Sequence, residues 1–234
     1  MQKILITCEH GGREIPEAHG HHFHAHQELL ETHRGWDIGA LELYEKFVAA
    51  GADASFFSET SRLLVELNRS LHHPNLFSDI TRQTAEVERE AILEAHYHPY
   101  RQQVEKTIQT FIAQNHSVLH LSVHSFTPQL NGEIRNADIG LLYDPQRKTE
   151  KEFSALWKQE FEKLDPDLKV RFNYPYRGTA DGFTTYLRKL FPDEQYGGIE
   201  LEVNQKYPQC NAGIWENVQQ IIVQSFRNAV NVRS

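Results

Sequence analysis

Short β-branched runs alternate with helical stretches along the whole chain, and this alternation constrains the fold more than any other feature. The runs are Lys3 to Cys8 (KILITC), Ser117 to Val123 (SVLHLSV), Ile139 to Tyr143 (IGLLY), Lys169 to Asn173 (KVRFN) and Gly198 to Asn204 (GIELEVN), with a shorter one at Ala54 to Phe57. Apolar residues recur at helical spacing over Trp36 to Ala50, Lys148 to Leu164 and Ile214 to Val232. Glu86 to Gln114 reads as one long helix broken near Pro99, Thr184 to Phe191 as a short one, and Glu59 to Arg69 as a strand or irregular chain. Strands alternating with helices in this way predict an α/β sandwich with a largely parallel sheet. No repeat, low-complexity linker or composition break interrupts residues 1–234, so one domain is expected.

The runs end in residues that an ordinary loop does not need. The first stops at Glu9-His10-Gly11-Gly12 and the second at His124-Ser125, while the last carries Glu200 and Glu202 inside an apolar frame. Active sites of open α/β sheets lie at the carboxyl ends of strands. Residues two apart on a strand share a face, so Glu200 and Glu202 point the same way. A carboxylate on a buried strand is costly unless it is paired or binds a metal. Two histidines and an acid converging at strand ends suit a hydrolytic metal site, with three protein ligands and an open position for water. The competing reading makes the histidines loop residues and the two glutamates the solvent face of an edge strand.

Charge and composition narrow the partners. A formal net charge of −8 disfavours nucleic acid, which needs a basic face. It leaves room for a small anionic substrate held by a few local arginines, with Arg62, Arg69 and Arg177 as candidates. The 2 cysteines, Cys8 and Cys210, form no CxxC pair and read as reduced thiols. With no signal-peptide pattern and no span-length apolar run, a cytoplasmic protein without membrane attachment is expected. Nothing in the sequence speaks to oligomeric state. Among 14 histidines, the run His19, His21, His22, His24 and His26 reads as a solvated loop rather than the main metal site. Nucleophile alternatives are weaker. Ser125 has no GxSxG elbow, and Cys8 reaches His10 only if the strand stays regular past its end.

Six blocks in order, CEHGGREIP, SRLLVELNRS, HYHPYR, LSVHSF, NYPYRGT and GIELEVNQ, resemble the N-formylglutamate amidohydrolase family from residue 4 to about residue 207. The resemblance implies a three-layer α/β/α sandwich with a mainly parallel or mixed sheet, phosphorylase/hydrolase-like. It also implies zinc-dependent deformylation of N-formyl-L-glutamate, a step of histidine degradation. A more distant similarity to zinc-dependent N-acetylmuramoyl-L-alanine amidases implies metal ligands His10, Asp37 in the helix after the first strand, and His124. It implies a general base at Glu202, and Glu14 rivals Asp37 as the acidic ligand. On this reading Zn²⁺ activates water, and Arg62 stabilises the oxyanion. Asn68, Arg69, His98, Ser125, Asn173 and Arg177 line the substrate. The family's usual residue at the position of Glu200 is glutamine or similar, so a second carboxylate stands here. Two other functions stay open: a zinc amidase for a cell-wall peptide, and a non-catalytic binder of an anionic metabolite.

Overall fold

A computed structural model describes residues 1–233. Its centre is a six-stranded sheet of β1 (Gln2–Cys8), β2 (Ala54–Phe57), β3 (Ser117–Phe126), β6 (Ile139–Leu142), β7 (Val170–Phe172) and β8 (Tyr196–Asn204) in the order β2-β1-β3-β8-β6-β7. Every neighbouring pair is parallel except β6 and β8, so the sheet is mixed and mainly parallel. A two-stranded hairpin, β4 (Gln129–Leu130) with β5 (Glu133–Ile134), stands apart from it.

Strand alternation divides the sheet into two unlike faces. One carries Ile6, Cys8, Leu119, Leu121, Val123, Leu141, Leu201 and Val203 in a continuous apolar core. Helices α3 (Ala40–Ala49), α6 (Lys148–Leu164) and α8 (Ala212–Arg233) cover it with Phe47, Trp157, Phe161 and Phe226. The other face is apolar only toward the strand beginnings, where Leu5, Val118 and Tyr196 pack under α5 (His98–Ala113) and α7 (Phe183–Leu190). Toward the strand ends it turns polar. In register across β3 and β8, His120 faces Gly198, Ser122 faces Glu200 and His124 faces Glu202. Helices on both faces make the three-layer α/β/α sandwich expected of the sequence.

Three local departures from the sequence reading have physical causes. The helix expected from Trp36 begins only at Ala40, because Gly39 adopts φ 82° and the Asp37 amide donates to the His10 carbonyl at 3.0 Å instead of joining a helical turn. The long helix does not break at Pro99. α4 (Glu86–Ile92) runs through a wide π turn, Leu93–Tyr97, directly into α5. The extra residue of that turn accommodates a proline that cannot donate to the preceding turn. Of the two forms open to it, the segment 58–70 takes the irregular one, held down by buried Leu63, Leu64, Val65 and Leu67 and by Thr81, whose hydroxyl lies 3.0 Å from the Leu64 carbonyl. The histidine-rich stretch is not featureless loop. It forms 3₁₀ turns Glu17–His19 and His24–His26 and single helical turns α1 (Gly20–Phe23) and α2 (Gln27–Leu30), anchored by buried Phe23 and Leu30. No helix among the described residues is long and apolar enough to cross a membrane.

Candidate active site

His10 leaves the end of β1, His124 lies on β3, and Asp37 sits in the turn before α3. Their side chains meet, all three buried. Asp37 Oδ2 is 3.2 Å from His10 Nδ1 and 2.9 Å from His124 Nδ1, and the two rings are 4.9 Å apart. Asp37 therefore reaches the site from a turn and not from the helix that the resemblance implied. Glu14 is exposed and forms a backbone bridge to Thr60, so it is outside the cluster.

The far nitrogens of both rings rest on carboxylates that sequence reasoning missed. His10 Nε2 bonds Glu66, and His124 Nε2 lies 3.2 Å from Glu9 and 2.8 Å from the Ser122 hydroxyl. Glu9 also accepts from Ser122 at 2.6 Å and Tyr100 at 3.0 Å. Carboxylates that hold the outer nitrogen of a histidine fix its ring orientation and raise its basicity as a ligand. The available signal was a lone acid within an apolar run: Glu66 in RLLVEL, and Glu9 directly before His10.

Burial alone would raise all these carboxyl pKa values, but their partners outweigh it. His10, His124 and Arg62 hold Asp37 well below the usual range, Arg62 and His10 do the same for Glu66, and His124, His120 and Ser122 for Glu9. Against its own burial, His124 is pushed well up by Asp37 and Glu9. Glu202 is the exception. Burial, reinforced by Asp37 and Glu200 and opposed by His124 and Arg62, raises it to about 8. Its Oε2 is buried with no hydrogen-bond partner among the described residues.

His10, Asp37, His124 and Glu202 open on a cavity of about 160 Å³ that also meets Arg62, Asn68, Arg69, Ser125, Arg177, Asp181 and Glu200. Arg62 directs Nε at Glu66 (2.8 Å) and a terminal nitrogen at Asp37 (3.1 Å), so much of its donor capacity is already used. Asn68 takes the Phe183 amide on its Oδ1 and brings Nδ2 to 3.5 Å from His124 Nε2. Arg69 bonds the carbonyls of Asn68 (2.6 Å) and Asp181 (3.1 Å). The Ser125 hydroxyl donates to the Ile38 carbonyl (2.9 Å) and accepts from Gln205 (3.1 Å), which leaves it no histidine partner. Glu200 accepts from Thr184 at 2.6 Å and is no solvent-facing residue, because β8 lies inside the sheet.

Two expected substrate residues lie elsewhere. His98 stands in a separate surface hollow with Tyr97, Arg101 and Tyr186, 3.8 Å from Glu94, because the π turn sets the phase of α5 away from the cavity. Asn173 adopts φ 51° and caps a turn, its Oδ1 accepting from the amides of Tyr143 (3.1 Å) and Gly178 (2.8 Å). The Cys8–His10 pairing also fails. Cys8 is in the apolar core on the opposite face, and burial raises its thiol well above the ordinary value. Cys8 and Cys210 are both free.

The donor set suits a metal ion. Two imidazoles and one carboxylate present ligand atoms within 4.8 Å of one another, outer carboxylates orient both rings, and a buried carboxyl oxygen without a partner stands beside them.

Comparison with known proteins agrees with this architecture. The chain resembles the crystal structure of a gene product from Agrobacterium tumefaciens at TM-score 0.81 and 25% identity, over 98% of this chain and 91% of that one. It shares its fold with N-formylglutamate amidohydrolase from Ralstonia eutropha JMP134 at TM-score 0.70 and 17% identity, over 98% and 93% of the two chains. No curated protein matches the sequence. The profile of the N-formylglutamate amidohydrolase family matches residues 2–207, and the chain therefore belongs to that family of amide hydrolases.

Proposed function

We propose that this chain is a zinc-dependent amidohydrolase that deformylates N-formyl-L-glutamate or a closely related N-acyl amino acid. The observation that carries the reading is the buried His10–Asp37–His124 group with the unpartnered Glu202 oxygen next to it in the cavity. His10 and His124 through Nδ1, and Asp37 through Oδ2, would hold the ion. When bound, it would polarise the amide carbonyl and make water acidic enough to deprotonate near neutral pH.

The chain's own residues do the rest. Glu202 takes a proton from the attacking water on its carboxyl oxygen and returns it to the departing amine nitrogen. A carboxyl raised to about 8 holds a proton firmly enough to deliver it, and added positive charge in the cavity favours the carboxylate that accepts one. Arg69 and Arg177 face the cavity and would take the substrate carboxylates, while Arg62 keeps Asp37 and Glu66 ionised and in place. Near 160 Å³ the cavity is smaller than the usual roughly 300–1,000 Å³ of drug-sized pockets. That supports an amino-acid-sized amide over a cell-wall peptide.

Formate release from N-formyl-L-glutamate, measured beside N-acetyl amino acids and a muropeptide, tests the substrate. In Glu202→Gln, turnover should fall by about 10²- to 10⁴-fold while metal content stays at the level of the unaltered protein. Undiminished turnover in that variant removes Glu202 as the base.

A further inference from the structure

A second group of metal-binding side chains lies outside the cavity. His21, His22 and Glu88 bring one ligand atom each within 4.8 Å of one another. The His21 and His22 rings are 3.8 Å apart, and His22 Nε2 is 2.7 Å from Glu88 Oε1. His19 Nδ1 approaches the same oxygen at 3.2 Å, and the His96 ring lies 6.5 Å from that of His19. Three imidazoles thus crowd one carboxylate. A surface salt bridge needs a single partner. Neutral imidazoles each keep one lone pair, and a cation can satisfy several at once.

The cluster joins, at the surface, two parts of the chain that meet beneath it in one core, where Phe23 and Leu30 share a cluster with Ile92 of α4. Glu88 belongs to α4, whereas His19, His21 and His22 belong to the histidine-rich turns. None of those turns has a side-chain cap, and only Phe23 and Leu30 are buried along them. The same segment links His10 to Asp37, so its two ends deliver two of the three proposed active-site ligands.

We propose that His21, His22 and Glu88 form a second metal site that clamps the histidine-rich segment to α4. Its donors select a cation of the zinc, nickel or copper class over magnesium or calcium, since imidazole suits the former and oxygen ligands the latter. His19 reaches the Glu88 oxygen but lies outside the three-ligand group.

Titration of Zn²⁺ into the metal-stripped full-length protein, with a chromophoric chelator as competitor, counts the sites. Hydrogen exchange of residues 17–30 reports the clamp in the same samples. The expected result is two equivalents per chain and slower exchange in the segment on binding. His21→Asn/His22→Asn and, separately, Glu88→Gln should each lose one equivalent and the exchange protection, with metal-free melting unchanged. His10→Ala should keep the surface equivalent, so failure of the active-site assignment is distinguishable. One equivalent in the unaltered protein overturns the proposal. So does a second equivalent that survives either surface variant, which would place it on other exposed histidines, or binding without slower exchange.

Discussion

Glu66 offers the sharpest test of how the site is built, because it touches the proposed metal only through another residue. Its carboxylate receives His10 Nε2, Arg62 Nε at 2.8 Å, a second Arg62 nitrogen and the Asn68 amide at 3.0 Å. Glu66→Gln keeps the shape but leaves one accepting atom where two were used, and turns an amide NH₂ toward an existing donor. Two effects should follow. His10 loses the anion that fixes its ring, so metal affinity should fall by about 10- to 100-fold, or about 1.4–2.8 kcal/mol. Arg62 keeps only Asp37 as an anionic partner. Breaking a fully buried pair costs roughly 3–5 kcal/mol. With a quarter of the Arg62 side chain exposed and Asp37 still paired, about 1–3 kcal/mol of metal-free stability is the expected loss. Chelator competition gives the first quantity and urea unfolding of the metal-free protein the second. Zinc affinity within about twofold of the unaltered protein, together with an unshifted unfolding midpoint, would refute the idea that Glu66 orients His10.

Other perturbations separate the remaining assignments. Asp37→Asn should lose the active-site zinc equivalent while Glu14→Gln keeps it, and elemental analysis of the purified variants decides between them. Burial, only partly offset by Glu9, pushes His120 from 6.5 down to about 4. Between those values the unfolded chain binds more protons, so stability is full above about pH 6.5 and declines as pH falls toward 4. The full loss is about 3 kcal/mol. In His120→Asn that component of the slope should vanish from urea midpoints taken between pH 7 and 4.5; an identical pH dependence would contradict the assignment. A Cβ on Gly140 would lie 2.0 Å from the Tyr174 carbonyl oxygen and 3.2 Å from Glu202 Cβ. Gly140→Ala should therefore cost at least about 2–3 kcal/mol, and calorimetry showing an unshifted melting temperature would be inconsistent with this packing.

The strands and both histidines were legible because they obey local rules. β-branched runs ending in Glu9-His10 and His124-Ser125 could hardly be anything but strand ends, and alternation alone put Glu200 and Glu202 on one face. The start of α3 was not legible. It depends on the Asp37 amide finding the His10 carbonyl, a contact 27 positions away that no propensity encodes. His98 was misplaced for a related reason: one extra residue in the π turn rotates everything after it. Asn173 came in as a substrate residue through the family resemblance, yet its positive φ and two amide contacts make it the turn itself. Glu66 was the instructive omission. An acid in the apolar run RLLVEL signals a paired charge, but the sequence does not say with what.

The parallel pairing of β1 with β3, which sets His10 beside His124, has a consequence for how the enzyme comes to exist. Thr7 aligns with Ser122, so that junction closes more than a hundred residues of intervening chain. Such closures are entropically costly and late, and they are characteristic of slow folding. No fragment that stops before β3 holds both rings, so a nascent chain cannot use the ion as a template. On the proposed metal reading, an ion would instead meet a folded cradle, its two imidazoles aimed by the sheet and by Glu9 and Glu66. On that reading metal affinity would report completed folding, because a chain stalled short of β3 holds His10 and Asp37 but lacks His124.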